Sequence, residues 1–184
     1  MARVRHVGPE KVPAQVREVY ERFAGGYGAF RDQVGVFAHV PSSVAHLMAM
    51  LLELREQKNV PYRYIELAVV VVSKLNECRY CVGQHQPLLV IEGISPGGVD
   101  KVLDYEANPE LDEVDRLVVE YSIAVTNAPQ RIGDELFERL RRHFSEAQIV
   151  ELTLRIALCG FFNRFNDALQ ILSLIHISEP TRRS

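Results

Sequence analysis

Tyr64-Ile65-Glu66-Leu67-Ala68-Val69-Val70-Val71-Val72-Ser73-Lys74-Leu75 is the stretch on which the fold turns. Four consecutive valines suit a buried parallel strand, and periodicity alone does not separate that reading from a buried helix. No other segment offers a strand partner, so a helix is expected. A helix apolar all round lies in a core. Pro61, just ahead of it, is tolerated in a first helical turn. Glu66 is the exception within the stretch, because a carboxylate on a buried helix must be paired, hydrogen-bonded or protonated.

The run Cys78-Arg79-Tyr80-Cys81-Val82-Gly83-Gln84-His85 follows directly. If a helix begins near Cys78, then Cys78, Cys81 and His85 fall within about 60° of one another, with Cys81 and His85 an adjacent i, i+4 pair. A helix N-terminus sets unpaired N–H groups and a positive dipole end beside the thiols. That favours thiolate over thiol and makes at least one cysteine reactive near neutral pH. A thiolate that attacks a peroxide becomes a sulfenic acid, which a second cysteine at close range resolves to a disulfide. His85 can take or deliver the proton, and Glu66 is the carboxylate available to orient that histidine.

The remaining segments all read as helices. Val16, Val19, Tyr20 and Phe23 share one face over Pro13 to Phe23, and Gly25-Gly26-Tyr27-Gly28 then ends that helix. The glycines follow a helix, whereas a phosphate loop follows a strand, so they read as a turn. Val34 to Val40 reads as one or two helical turns or a buried loop. A serine cap at Ser42 or Ser43 opens a helix through Val44, Leu47, Met48, Leu51, Leu52 and Leu54, which carries His46 as a packed or exposed histidine. Ile94 to Gly98 reads as a turn, followed by a short helix from Val99 to Tyr105. Asp112 caps the next helix and Asp134 opens another. Ser145-Glu146-Ala147-Gln148 has capping-box spacing and launches a last helix from Ile149 to about Ile171. The fold class expected is therefore all-α, with the C-x-x-C at the start of a central helix.

The 184 residues suggest one domain, taken as residues 1–171, and a chain of that size buries roughly 70% of its unfolded surface without staples. With 21 basic and 24 acidic residues, nothing asks for nucleic acid. The densest basic cluster, Arg139, Arg141, Arg142 and His143, sits at an expected helix end, where cations complement the dipole. The longest apolar run, Ile65 to Val72, is far short of the ~20 residues a spanning helix needs, so no membrane is expected. The N-terminus carries charge with no apolar segment behind it, and an intracellular C-x-x-C reads as redox or metal chemistry. A cytoplasmic protein is expected. Leu172 to Arg182 matches the conceptual translation of a transposon-type sequencing adapter, so residues 172–184 are set aside as a non-native tail.

The pattern Glu66, Cys78-x-x-Cys81, His85 on a helical chain of this length resembles the AhpD-like alkylhydroperoxidase branch of the carboxymuconolactone decarboxylase family. The resemblance covers Val60 to Gly93 by motif, and the stretch from Phe162 to Leu169 is similar as well. It implies a peroxiredoxin-type alkylhydroperoxidase with no cofactor, metal or flavin. Cys81 is then the nucleophilic thiolate, Cys78 its disulfide partner, and Glu66 and His85 a proton relay. It also implies a homo-trimer or hexamer that reduces a small-molecule hydroperoxide and is re-reduced by a lipoyl-bearing or other dithiol partner. The family's alkylhydroperoxidases often carry a second histidine immediately before the second cysteine. Tyr80 stands there instead, which points to the peroxidase-related branch and makes Tyr80 a candidate modulator.

Two alternatives stand beside this reading. Cys78, Cys81 and His85, with Cys159 or Glu66 as a fourth ligand, could hold structural zinc, although such sites usually show a second clear ligand pair. The family's decarboxylase branch acts on a lactone without redox thiols, and the presence of both cysteines counts against it. Cys159 itself reads as a small core hydrophobe.

Overall fold

A computed structural model describes residues 3–26 and 30–171. The tail set aside at 172–184, and Tyr27 and Gly28 of the glycine stretch, lie outside the described residues. Every regular element among those described is a helix. They fall into two compact units, Lys58–Phe165 and the residues up to Gln57 taken with those from Asn166 onward.

The Lys58–Phe165 unit is built on α5 (Tyr62–Leu75). Every residue from Ile65 to Ser73 is buried, and Leu67, Ala68, Val70 and Val71 are fully so. Burial on all sides explains why a valine run holds a helix: its backbone bonds are satisfied internally, while each buried valine or leucine contributes about 1.5–3 kcal/mol. Around it pack α6 (Arg79–Ile91) and α8 (Glu113–Asn127). Leu117, Val118 and Val119 of α8 share its core with Leu152 and Ile156 of α10 (Glu146–Leu169), which belongs to this unit as far as Phe165. Tyr64 meets Phe144 edge-on at 5.5 Å between ring centres.

Several helix starts follow the sequence closely. Asp112 accepts from the Asp115 N–H while Asp115 accepts from the Asp112 N–H, a reciprocal cap on α8. Ser145 and Gln148 bond in the same way at the head of α10. Asp115 is fully buried and also takes a two-pronged hydrogen bond from Arg63, at 2.9 and 2.6 Å. A third Arg63 nitrogen donates to Glu92 O, so one guanidinium ties α5, the end of α6 and the start of α8. The short α7 (Pro96–Asp100) begins earlier than the expected Val99, because Ser95 Oγ accepts from Gly98 N–H and Pro96 takes the first position. Lys74 donates to Val99 O and Asp100 O at its end, and burial lowers the pKa of that amine. α9 (Asp134–Arg141) carries Arg139 and Arg141 in its last turn, the helix-end placement expected for the basic cluster.

The other unit holds α1 (Ala14–Gly26), α2 (Arg31–Phe37), and a helical run made of α3 (Pro41–Ser43), a π-helical turn (Val44–Met48) and α4 (Ala49–Gln57). α1 continues through Gly25 and Gly26, past the point where the glycines were expected to stop it. No serine caps the third helix: Ser43 Oγ donates back to Phe37 O and Val40 O, and the helix opens at Pro41. Val44 and Met48 are fully buried across the wide turn, while His46 faces out. Gln33 donates to Asn166 Oδ1 at 3.0 Å, and both are buried.

Candidate active site

Glu66 is 2% exposed, on the second turn of α5, and satisfies the demand that its burial makes: its Oε2 lies 2.8 Å from Nδ1 of His85 on α6. The two helices pack along their length, which brings together residues nineteen apart in sequence. His85 keeps 18% of its side chain exposed, so the pair runs from the core toward solvent.

Both cysteines are buried, and the turn between α5 and α6 places them. Asn76 caps α5, Glu77 takes a left-handed backbone with φ of +55°, and Cys78 is the N-cap residue of α6. The Cys78 N–H donates to Ser73 O and its carbonyl accepts from Val82 N–H, the first bond of the new helix. Cys81 sits in the first turn. The two Sγ atoms are 3.0 Å apart, within hydrogen-bonding reach and ahead of the ~2.0 Å of a covalent bridge. His85 follows Cys81 by one helical turn. Tyr80 is buried beside them in sequence, at 4% exposure.

Beneath the turn lies a group that the sequence reading passed over. Ser73 Oγ is 3.3 Å from Sγ of Cys159 on α10, and Asn163, one turn further along that helix, donates from Nδ2 to the same Ser73 Oγ. Asn163 Oδ1 accepts from Asn76 Nδ2 at 2.8 Å. Cys159 is the core residue that was expected, and burial pushes its thiol up to about 12, with the charges of Cys78 and Glu66 acting the same way and the Ser73 and Asn163 hydrogen bonds opposing. The available sequence signal was spacing: Ser73 follows Glu66 by seven residues, two helical turns, and so shares its face.

Among the described residues, no three His, Cys, Asp or Glu side chains are arranged to hold a metal ion. Nor is any helix among them long and apolar enough to cross a membrane.

The chain has the AhpD-like all-α fold. A peroxidase-related protein with an alkylhydroperoxidase AhpD core, from Ralstonia eutropha JMP134, matches it with a TM-score of 0.80 at 22% identity, over 94% of this chain and 92% of that one. The debrominase Bmp8, solved as a cysteine-to-alanine variant in complex with 2,3,4-tribromopyrrole, matches with a TM-score of 0.72 at 19% identity, over 87% and 86% of the two chains. In sequence the chain is similar to the uncharacterized protein YnjA of Escherichia coli K12, 27% identical over 95% of this chain and 96% of that one. No protein-family model matches. The fold thus serves proteins named for different chemistries, and the choice among them rests on the site.

Proposed function

We propose that this protein is a cysteine-dependent peroxidase, a thiol–disulfide oxidoreductase that reduces organic hydroperoxides. The observation that carries the reading is the approach of Cys78 Sγ to within 3.0 Å of Cys81 Sγ, on the helix that also holds the Glu66-paired His85. Cys81 attacks the terminal oxygen of the hydroperoxide as thiolate. The O–O bond breaks, the alkoxide leaves and takes up a proton as the alcohol, and Cys81 becomes a sulfenic acid. Cys78 then attacks that sulfur, water leaves, and a Cys78–Cys81 disulfide remains; the two electrons lost by the thiols end on the peroxide oxygens, in the alcohol and the water.

Glu66 supports the proton traffic. When it accepts from Nδ1–H of His85, the Nε2 atom carries the lone pair, and that is the tautomer a base needs. Tyr80 takes the place of a second histidine and modulates the site from within the core. Return to the dithiol falls to an external dithiol, which on the family resemblance is lipoyl-bearing, and the working form is a cytoplasmic homo-trimer or hexamer. The test uses purified reduced protein, cumene hydroperoxide and dihydrolipoamide. Hydroperoxide is consumed, one equivalent yields an internal Cys78–Cys81 disulfide by mass spectrometry, and Cys81→Ser abolishes turnover. Undiminished turnover in Cys81→Ser overturns the reading.

A further inference from the structure

Asn163 takes no part in the steps above, yet it is 1% exposed and both ends of its carboxamide are engaged. Nδ2 donates to Ser73 Oγ at 3.3 Å, and Oδ1 accepts from Asn76 Nδ2 at 2.8 Å. Those two partners stand at the entry to the turn that delivers Cys78. Ser73 supplies the carbonyl that receives the Cys78 N–H at 3.0 Å, and Asn76 is the cap of α5, two residues before Cys78. Between them Glu77 has φ of +55°, a conformation a non-glycine residue keeps only where its surroundings hold it.

A carboxamide in a core is costly unless its hydrogen bonds are made, whereas a leucine of similar size has no such requirement. Here the bonds are made: beside longer contacts with Cys159 Sγ one turn back on α10, the two bonds to nitrogen and oxygen partners both go to the segment that carries Cys78. Two of the contacts are to side chains from the one face of α5 and its cap that look toward α10, so the amide acts as a clasp on the turn as a whole.

We propose that Asn163 is a positioning residue for the Cys78–Cys81 dithiol: through Asn76 and Ser73 it fixes the α5–α6 turn and so holds one sulfur within reach of the other. The proposal rests on reading Cys78 and Cys81 as a redox pair. Its consequence is thermodynamic. With the clasp removed, Cys78 samples more positions as a thiol, the effective concentration of one sulfur at the other falls, and the disulfide becomes harder to form. Cys81, inside the helix, is not released in the same way.

The experiment equilibrates the full chain with mixtures of glutathione and glutathione disulfide. The two thiols pass two electrons and two protons to glutathione disulfide, which leaves as two glutathione molecules. After acid quench and alkylation, mass spectrometry gives the dithiol-to-disulfide ratio, and thermal melting by circular dichroism shows that each variant is folded. Asn163→Leu and Asn76→Ala are each expected to lower the equilibrium constant for disulfide formation tenfold or more, a rise of about 30 mV in potential. The double variant is expected to fall no further than the lower of the two, since both remove one shared bond. Asn76 is only half-buried, so its variant keeps the test open should Asn163→Leu fail to fold. A folded Asn76→Ala with the parent constant overturns the positioning role. Parent protein that forms the disulfide but consumes no hydroperoxide overturns the peroxidase reading alone, and parent protein that forms no disulfide overturns both.

Discussion

Oε2 of Glu66 stands 2.8 Å from Nδ1 of His85, a buried carboxylate on one helix meeting a mostly buried imidazole on the next. Glu66→Gln keeps a hydrogen-bonding group there but removes the carboxylate that, in the proposed mechanism, holds the ring as a base. Hydroperoxide kcat/KM is expected to fall by about 10²-fold, the lower end of what a positioned acid–base group contributes, and His85→Asn to fall at least as far. Stopped-flow consumption of cumene hydroperoxide measures both. Parent rates in either variant would remove the pair from the mechanism.

Cys159 is held as a neutral thiol by burial, its pKa pushed up to about 12. Iodoacetamide at pH 8 should therefore spare Cys159 in the folded protein, as read by peptide mapping. The same shift makes stability depend on pH. Above the unfolded thiol's value of 9.0 the unfolded chain releases a proton that the folded chain keeps, so stability drops as pH rises from 9.0 to about 12. The slope from this group is at most about 1.4 kcal/mol per pH unit. Urea midpoints of Cys159→Ala should decline less steeply over that window than those of the parent.

Asp115 serves two masters, the guanidinium of Arg63 and the cap of α8. Asp115→Ala strands the Arg63 charge, of which only a quarter of the side chain is exposed, and removes the reciprocal cap. A loss of about 3 kcal/mol is expected from these combined effects, read from urea unfolding with an unchanged denaturant slope. A loss below about 1 kcal/mol would show that water replaces Asp115 at the guanidinium.

Glu77 occupies the left-handed region just before Cys78, a conformation that costs a non-glycine residue about 1–2 kcal/mol. Glycine relieves that strain but adds freedom to the unfolded chain. Glu77→Gly is expected to leave stability unchanged or to raise it by up to about 1 kcal/mol, in contrast to the loss such a change brings in a helix. Differential scanning calorimetry decides the sign.

The sequence made some of this legible because its signals were local. Glu66 among valines announced a buried charge in need of a partner, and the C-x-x-C with His85 supplied that partner at helical spacing. The caps at Asp112 and Ser145 were written in three-residue spacings that needed no knowledge of the tertiary structure. Ser95-Pro96 held the same kind of signal for α7, but the two glycines after it read as a turn, and the start was placed three residues late. The π-helical turn at Val44–Met48 had no local signature, since an extra residue in one turn leaves the apolar spacing of Val44, Met48 and Leu52 intact. Asn163 was out of reach for another reason. An asparagine in a helix has meaning only once Ser73 and Asn76, some ninety residues earlier, are brought beside it.

The face shared by Glu66 and Ser73 turns α5 into a ruler. One end sets the histidine and the other the cysteine turn, so a single inserted residue between them would swing one by about 100° and leave the other behind. The spacing Glu-x6-Ser-x4-Cys-x2-Cys-x3-His is then a more demanding signature than the cysteine pair alone. A distant chain that keeps it, with an amide on its last helix, inherits the geometry of this site even where nothing else in the two sequences aligns.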